Sequence, residues 1–257
     1  MSRDDRIVEQ IRSEFKDEAR ERYTTLQIDY ANLRSMTAPD RETLRRVVQS
    51  AEKVQYCARS AEAMTLYLAV KRLIAFFDVE SERLPNHYVD IDTIFDILDQ
   101  IFDGEIDDQT DEAEFLRSLP TPQPADTDVF EPQDVELLLV DPQRASTRVI
   151  ANQIQGLGYS VTATQDVFEA LKLAARTKPD MIVASVMQKE LNGVSLACAL
   201  KAVPETARIP VAVVTSFGRD NKALAGLPES VVLVDKGKAF QDGLLEAMTR
   251  FGLRRTH

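Results

Sequence analysis

Residues 180–193, DMIVASVMQKELNG, contain the stretch that decides the fold of the second half of the chain. The run MIVA (181–184) is apolar and predicts a buried strand, and Ser185 stands at its end. Asn192-Gly193 is a turn signal a few residues later. A strand that is apolar on both faces is typical of a parallel sheet covered by helices on both sides. The stretch therefore predicts an α/β domain with a hydroxyl, and not a carboxylate, at the tip of a central strand.

Similar apolar runs continue on both sides of this strand and alternate with amphipathic segments. The runs are VELLLV (135–140), SVTAT (160–164), VAVVT (211–215) and VVLV (231–234). Segments with helical spacing follow the strands at 144–157, 167–176, 194–202, near Ala223 and at 239–251. Five strands alternating with five helices predict a doubly wound (βα)5 parallel sheet. Chemistry in such sheets gathers at the carboxyl ends of the strands, which are Asp141, Thr164, Ser185, Thr215 and Lys236.

Residues 1–118 follow a different period. Their apolar positions recur every three or four residues, and no alternating strand pattern interrupts them. This spacing predicts four helices, at 5–36, 41–60, 61–77 and 90–102, and helices joined by short loops favour an antiparallel bundle. Residues 119–134 hold four prolines and several acidic residues, which predicts a linker. The second domain then comprises residues 135–257.

The composition excludes several classes of function. The chain has 31 basic and 42 acidic residues and a pI near 4.8, so the basic surface that nucleic-acid binding needs is not visible. No run approaches the roughly 20 apolar residues of a membrane span, and the N-terminus is too polar for a secretory signal. We therefore expect a cytoplasmic protein without membrane insertion. Cys57 and Cys198 are predicted to be buried, reduced thiols.

One stretch of the helical half is strongly acidic. Residues 90–114 contain many Asp and Glu side chains and no Lys or Arg. This pattern predicts a solvated acidic face, with a docking surface for a basic partner as the alternative.

Three phrases of the second domain are similar to a known family. LLLVDPQRASTRVIANQIQGLGYSVTAT (137–164) resembles its first strand, first helix and second strand, VFEALKLAARTKPDMIVASVM (167–187) its second helix and third strand, and LKAVPETARIPVAVVTS (200–216) its third helix and fourth strand. In this order, residues 136–252 resemble the receiver domain of two-component response regulators, which implies a flavodoxin-like fold. Receivers accept a phosphoryl group on an aspartate at the tip of strand three, with Mg²⁺ held by that carboxylate and an acidic pair after strand one.

The resemblance assigns the strand ends one by one. Asp141 matches the first acidic position, Pro142 occupies the second, and Ser185 falls on the phosphoacceptor position. Thr215 and Lys236 match the hydroxyl and the lysine of the family. Because one carboxylate of a usual three is retained, we expect no metal and no cofactor. Ser185 is interpreted as a structural residue of a degenerate pseudo-receiver, since a serine nucleophile needs a general base within hydrogen-bonding reach.

The resemblance also implies a changed output switch. Leu233, three residues before Lys236, occupies the position where receivers commonly carry an aromatic side chain that responds to phosphorylation, and Gly237 stands where proline is usual. We therefore expect the switch to be disabled or locked in one state. The surface formed by helix four, strand five and helix five stays a candidate for binding partners.

The helical half resembles a histidine phosphotransfer domain of the kind that opens chemotaxis kinases. The resemblance is carried by FKDEARERYTTLQIDYANL (15–33), LRRVVQSAEKVQYCA (44–58) and AMTLYLAVKRLIAFF (63–77). It places Gln49 at the position of the phosphorylated histidine and Glu52 at that of an assisting lysine. A glutamine amide is not a usable phosphoryl acceptor, and an acid repels phosphate. His87 is interpreted as a solvent-side or helix-capping residue.

These assignments lead to one main hypothesis and two alternatives. The main hypothesis is a non-enzymatic adaptor of bacterial two-component signalling, whose partners are a histidine kinase, a response regulator or another phosphorelay protein. The first alternative is an active phosphorelay protein that is phosphorylated at Ser185, His87 or Asp141. The second is a small-molecule sensor that uses the vacated pocket near Asp141, Ser185, Thr215 and Lys236. Helical bundles of this kind and receiver faces both dimerise, so a homodimer is left open, and the long first helix could extend into a partner.

Overall fold

The computed structural model describes residues 3–78, 82–107, 110–122, 134–186, 192–218, 220–237 and 239–253. The chain divides into two compact units, Met1–Pro122 and Gln123–His257. The proposed linker lies largely outside the described residues, although Leu119 and Pro122 at its start are buried. Among the described helices, none combines the length and the hydropathy that crossing a membrane requires.

The first unit is helical. Its helices are α1 (Arg3–Arg34), α2 (Arg41–Ser60), α3 (Met64–Phe77), α4 (Tyr88–Asp103) and α5 (Glu112–Ser118), and a 3-10 turn (Leu84–His87) precedes α4. The helix α2 begins where predicted because the Asp40 side chain accepts hydrogen bonds from the backbone N–H groups of Glu42 and Thr43. The helix α3 begins three residues later than predicted, since Glu62 has a φ of 55° and interrupts the helical path. The short α5 was not predicted.

Two tyrosines join α1 to the acidic helix α4. The Tyr30 hydroxyl donates to Asp92 Oδ1 at 2.5 Å, and the Tyr23 hydroxyl donates to Asp99 Oδ1 at 2.8 Å. Burial, followed by these carboxylates, raises the pKa of both phenols far above its ordinary value. Two of the acids in the stretch that was predicted to be a solvated face therefore hold helices together.

The second unit contains a five-stranded parallel sheet. Its elements are β1 (Glu136–Val140), α6 (Arg144–Gln155), β2 (Ser160–Thr164), α7 (Val167–Thr177), β3 (Met181–Ser185), α8 (Gly193–Ala202), β4 (Val211–Thr215), β5 (Val232–Asp235) and α9 (Phe240–Arg250). The strand order is β2-β1-β3-β4-β5, as a flavodoxin-like doubly wound sheet requires. All residues of β1, β3 and β4 are buried, which confirms that helices cover both faces.

Two local expectations in this unit were wrong. The segment near Ala223 forms a 3-10 turn of three residues, Lys222–Leu224, in place of the predicted fourth helix of this domain. The flanking sequence explains the difference, because Gly226 has a φ of 82° and Pro228 follows it. Asn192-Gly193 begins α8 and does not form a free turn, since the Asn192 side chain accepts a hydrogen bond from Ser195 N.

The two cysteines differ in exposure. Cys57 on α2 is buried as predicted, and burial raises the pKa of its thiol. Cys198 on α8 is exposed, and its thiol donates to the carbonyl oxygen of Gly226 at 3.4 Å. The expectation that both thiols are buried is therefore wrong for Cys198, because its position on α8 faces away from the sheet's core.

Candidate functional site

The sheet brings the predicted strand-end residues to one edge. Parallel pairing aligns Val140 with Ala184, Ser185 with Val214, and Thr215 with Asp235. Asp141, Ser185, Thr215 and Lys236 therefore stand at the carboxyl ends of four adjacent strands, where such sheets hold ligands. We call this edge of the second unit the strand-tip site.

Asp141 is the charged centre of the strand-tip site. Asp141 is fully buried, and both of its carboxylate oxygens contact groups of the same chain. Oδ1 accepts from the backbone N–H of Gln143 at 2.8 Å, and Oδ2 accepts from the Ser146 hydroxyl at 2.8 Å. Lys236 Nζ lies 3.5 Å from Oδ2. Asp141 is thus the ion-pair partner of Lys236, and its charge is balanced within the protein.

The two hydroxyl residues of the site are also buried. Ser185 is 3% exposed and Thr215 is 5% exposed. The Thr215 hydroxyl oxygen accepts a hydrogen bond from the backbone N–H of Phe217 at 2.9 Å. Gly193 passes so close to Ser185 that a Cβ at this glycine would lie 2.4 Å from the Ser185 carbonyl oxygen. The first residue of α8 therefore packs tightly against the end of β3.

The described residues do not fit a divalent cation at this edge. Mg²⁺ prefers several carboxylate and carbonyl oxygens in octahedral geometry. Asp141 directs its oxygens to Ser146, Lys236 and a backbone N–H. Asp166 accepts from the backbone N–H of Phe168 in the first turn of α7, and Asp235 accepts from the backbone N–H of Gly237. Across the described part of the chain, no three acidic, histidine or cysteine side chains converge as metal ligands.

One participant was missed in the sequence. Ser146 lies in the first turn of α6, five residues after Asp141, and places its hydroxyl on that carboxylate. The signal was present, because a serine in the first helical turn can reach back to an acid at the preceding strand end.

The first unit contains a second candidate site at Gln49. A surface groove of about 430 Å³ lies on α1 and α2 and is lined by Glu18, Arg22, Gln49, Glu52, Lys53 and Tyr56. We call it the Gln49 groove. Gln49 and Glu52, the two positions that the resemblance singled out, are both exposed and share its wall. Positions 49, 52, 53 and 56 lie on one face of α2, a spacing that could have predicted the groove.

His87 occupies a different environment from the one predicted. It is 9% exposed and packs edge-on against the Phe76 ring, with ring centroids 5.6 Å apart. It stands at the N-cap of α4 without a capping hydrogen bond from its side chain. Burial lowers the pKa of its imidazole, which opposes the charged form. The solvent-side or capping interpretation was therefore wrong, because Phe76 and its neighbours enclose the ring.

Comparison with known proteins identifies the domain that carries the strand-tip site. The family model for the response regulator receiver domain matches residues 137–234. Residues 137–234 are a response regulator receiver domain. Receiver domains of this kind belong to two-component signal transduction.

Individual relatives match in part. Response regulator MprA of Mycobacterium sp. (strain KMS) is 33% identical over 93 residues, which are 36% of this chain and 40% of that relative. Response regulator PleD of Caulobacter vibrioides (strain NA1000 / CB15N) is 32% identical over 121 residues, 46% of this chain and 26% of the relative. The chain thus spans less than half the length of these relatives.

A solved structure is also similar. It is the receiver domain of the sensor histidine kinase PA1611 from Pseudomonas aeruginosa PAO1, with a TM-score of 0.41 and 22% identity. The similarity covers 46% of this chain and 98% of that structure.

This receiver domain has a short segment between β4 and β5. The 3-10 turn at Lys222–Leu224 stands where a fourth helix was expected, so the predicted surface of helix four, strand five and helix five lacks its first element among the described residues. Leu233 lies on β5, paired with Val213, and is partly buried. Pro142, partly exposed, follows Asp141 directly. Neither side chain offers an oxygen to the strand-tip site.

Proposed function

We propose that this chain is a non-catalytic adaptor of bacterial two-component signalling, working in the cytoplasm. Its receiver domain is a pseudo-receiver that binds partners without being phosphorylated, and its helical unit is a pseudo-phosphotransfer bundle. The partners are a histidine kinase, a response regulator or another phosphorelay protein. One observation carries the proposal. Position 185 is a serine, and the carboxylate of Asp141 is engaged by an ion pair with Lys236 and by hydrogen bonds within the protein.

The strand-tip site supports phosphorylation-independent binding in two ways. A phosphoryl group needs a carboxylate nucleophile, a cation and a lysine to balance its charge. Here Ser185 supplies a hydroxyl, and Lys236 already pairs with Asp141. The Thr215 hydroxyl oxygen accepts a hydrogen bond from the backbone N–H of Phe217, two residues later in the chain. The groups that would respond to a phosphoryl group are therefore held by the protein itself.

The helical unit supports the same role through an exposed surface. Gln49 lies on the wall of the groove. The charged residues that line the same groove are two basic ones, Arg22 and Lys53, and two acidic ones, Glu18 and Glu52. A surface of mixed charge around one exposed aromatic, Tyr56, is suited to recognising a protein partner by shape and charge. Such binding requires no phosphoryl transfer.

Phosphorylation is tested by incubating the purified chain with acetyl phosphate and Mg²⁺ and measuring its intact mass. We expect no gain of a phosphoryl group, while a receiver with an intact acidic site gains one under the same conditions. A hydroxylamine-sensitive gain that disappears in Asp141→Asn would identify an acyl phosphate at Asp141, and a hydroxylamine-resistant gain that disappears in Ser185→Ala would identify Ser185. Either gain would overturn the adaptor proposal and favour an active phosphorelay protein.

Binding is tested with isolated histidine kinases and receiver domains. We expect at least one of them to bind with an affinity that is unchanged by acetyl phosphate and lowered by Lys53→Glu in the Gln49 groove. Lys172→Glu, at an exposed position of the receiver domain, is the matched control. A thermal shift caused by a small metabolite, lost in Lys236→Ala, would instead support a ligand sensor at the strand-tip site.

A further inference from the structure

The first helix extends beyond the helix against which it packs. Contacts from Asp29 to Ser50, from Phe15 to Tyr56 and from Arg12 to Glu62 show that α1 and α2 run antiparallel. Glu62 already lies past the end of α2, at Ser60. At about 1.5 Å per residue, α1 is ~48 Å long and α2 is ~30 Å long. Residues 3–11 therefore lie beyond the end of α2, and we call them the overhang.

The overhang exposes large apolar side chains. Ile7, Val8 and Ile11 are 49%, 47% and 45% exposed, respectively. Ile7, Ile11, Phe15 and Ala19 are spaced four residues apart, and each such step turns about 40° around the helix. Relative to Ala19, which is buried in the bundle, Ile7 is therefore rotated by about 120°, Ile11 by about 80° and Val8 by about 20°, so the apolar side of the overhang is centred about 70° away from Ala19. The overhang thus offers its apolar side in a different direction from the bundle core.

The charges around this apolar side are balanced. The chain as a whole carries a formal charge of −11, which opposes self-association. Residues 3–16, in contrast, hold four basic and four acidic side chains, which are Arg3, Arg6, Arg12 and Lys16 against Asp4, Asp5, Glu9 and Glu14. Residues 3–16 are thus neutral overall, so two copies of this segment can approach each other without repulsion from net charge.

We propose that the overhang is a dimerisation surface that binds the overhang of a second copy of this chain in antiparallel orientation. In a twofold arrangement centred near residue 9, Val8 meets Ile11 of the second copy. Asp5 and Arg12 then lie on the same flank, and each faces its opposite charge on the other copy. In a parallel pairing Asp5 and Arg12 would lie on the opposite side of the seam from the same residues of the second copy, and this attraction would be absent. Arg12 is already held in position by Glu62, so it is oriented before the partner arrives.

This inference is independent of the proposed signalling function. It rests on the length, exposure and charge of α1, and neither the strand-tip site nor the Gln49 groove enters it. The two can therefore succeed or fail separately.

The dimer is tested by light scattering on the full chain over a concentration series. We expect the mass to rise from 28.8 kDa towards twice that value within the micromolar range. The variant carrying Ile7→Glu and Ile11→Glu should stay monomeric. Ile28→Glu, at a position of α1 that is 59% exposed and outside the overhang, is the matched control and should still dimerise. Circular dichroism checks that each variant keeps its helices.

Two results would overturn the proposal. One is a wild-type chain that remains monomeric throughout the micromolar range, because the overhang would then not bind a second copy. The other is equal dissociation by Ile28→Glu and by the overhang variant.

The antiparallel orientation is tested by reversing charges. Asp5→Lys should weaken the dimer by about tenfold, because it places two cations together at both ends of the symmetric pairing. Adding Arg12→Glu to the same chain should restore the affinity. Glu62→Gln controls for the loss of the internal ion pair of Arg12. A double variant that dimerises no better than Asp5→Lys alone would contradict the antiparallel register.

Discussion

The strand-tip site and the Gln49 groove treat their polar residues in opposite ways. At the strand tips a carboxylate is fully buried, and Ser146, Lys236 and a backbone N–H satisfy it from inside the protein. On α2, Gln49 and Glu52 lie exposed on a groove wall. A polar group in the interior must find partners, while an exposed one can rely on water. The buried carboxylate therefore depends on partners within the protein, whereas the side chains on the groove wall stay accessible to solvent.

The largest effect is expected when the buried carboxylate is removed. Asp141→Ala removes the fully buried acceptor of the Gln143 N–H and of the Ser146 hydroxyl, together with the counter-ion of Lys236, which is 38% exposed. Losing these contacts should cost about 2–3 kcal/mol of the free energy of unfolding. Glu52→Ala, the matched change in the groove, should cost less than about 0.5 kcal/mol because Glu52 is exposed. Urea denaturation of both variants measures the difference. Equal losses would remove the contrast between the two sites.

A second change adds charge to the strand-tip site. Ser185→Asp places a new carboxylate on the strand next to Asp141, and we expect a loss of about 2 kcal/mol without metal, since like charges in a buried site repel. Adding Pro142→Asp supplies a third carboxylate, and millimolar Mg²⁺ should then raise the Tm of the double variant. The wild-type Tm should not respond to Mg²⁺.

The control for this change is Ser216→Asp. It adds the same charge at an exposed position directly after β4. Its Tm should be close to that of the wild type with or without Mg²⁺. A wild-type chain that Mg²⁺ stabilises as strongly as the double variant would show that the present residues do hold the cation.

A third change tests how much a buried polar contact outside the Gln49 groove contributes to the stability of the helical unit. Tyr30→Phe removes the hydroxyl that donates to Asp92 and should cost about 1 kcal/mol. Tyr56→Phe is the control, because Tyr56 is 65% exposed in the groove, and it should change the stability by less than about 0.5 kcal/mol. Urea denaturation decides between them. A neutral Tyr30→Phe would mean that water replaces the hydrogen bond to Asp92.

The sequence predicted much of the receiver half because its signals are local. The strands β2, β3 and β4 coincide with the predicted runs, since a continuous apolar run bounded by turn residues leaves few other structures. The fourth helix was predicted from helical spacing near Ala223 but does not form, because Gly226 and Pro228 directly after the segment are incompatible with a longer helix. The edge that unites Asp141, Ser185, Thr215 and Lys236 could be predicted because strand ends of a parallel sheet meet.

Other features were beyond the sequence because they depend on packing between distant elements. The partnership of Tyr30 with Asp92 spans 62 positions, and no local pattern announces it. The contact of Ser146 with Asp141 required knowing how α6 leaves β1. The enclosure of His87 depended on where Phe76 packs after an intervening loop. Charge runs and polar residues predict exposure on average, and tertiary contacts override them.

The smallest effect is expected for His87, a buried polar group whose protonation makes the stability of the helical unit depend on pH. Burial lowers the pKa of its imidazole in the folded state, with Asp90 opposing the shift. The unfolded chain therefore binds the proton more readily, so the contribution of His87 to stability is complete above the ordinary pKa near 6.5 and is lost as pH falls below it. Urea denaturation between about pH 7.5 and pH 5 should show a steeper decline in the wild type than in His87→Gln, which cannot take up the proton. Parallel declines would show that the ring is protonated as easily in the folded unit as in the unfolded chain, and would place it in contact with water.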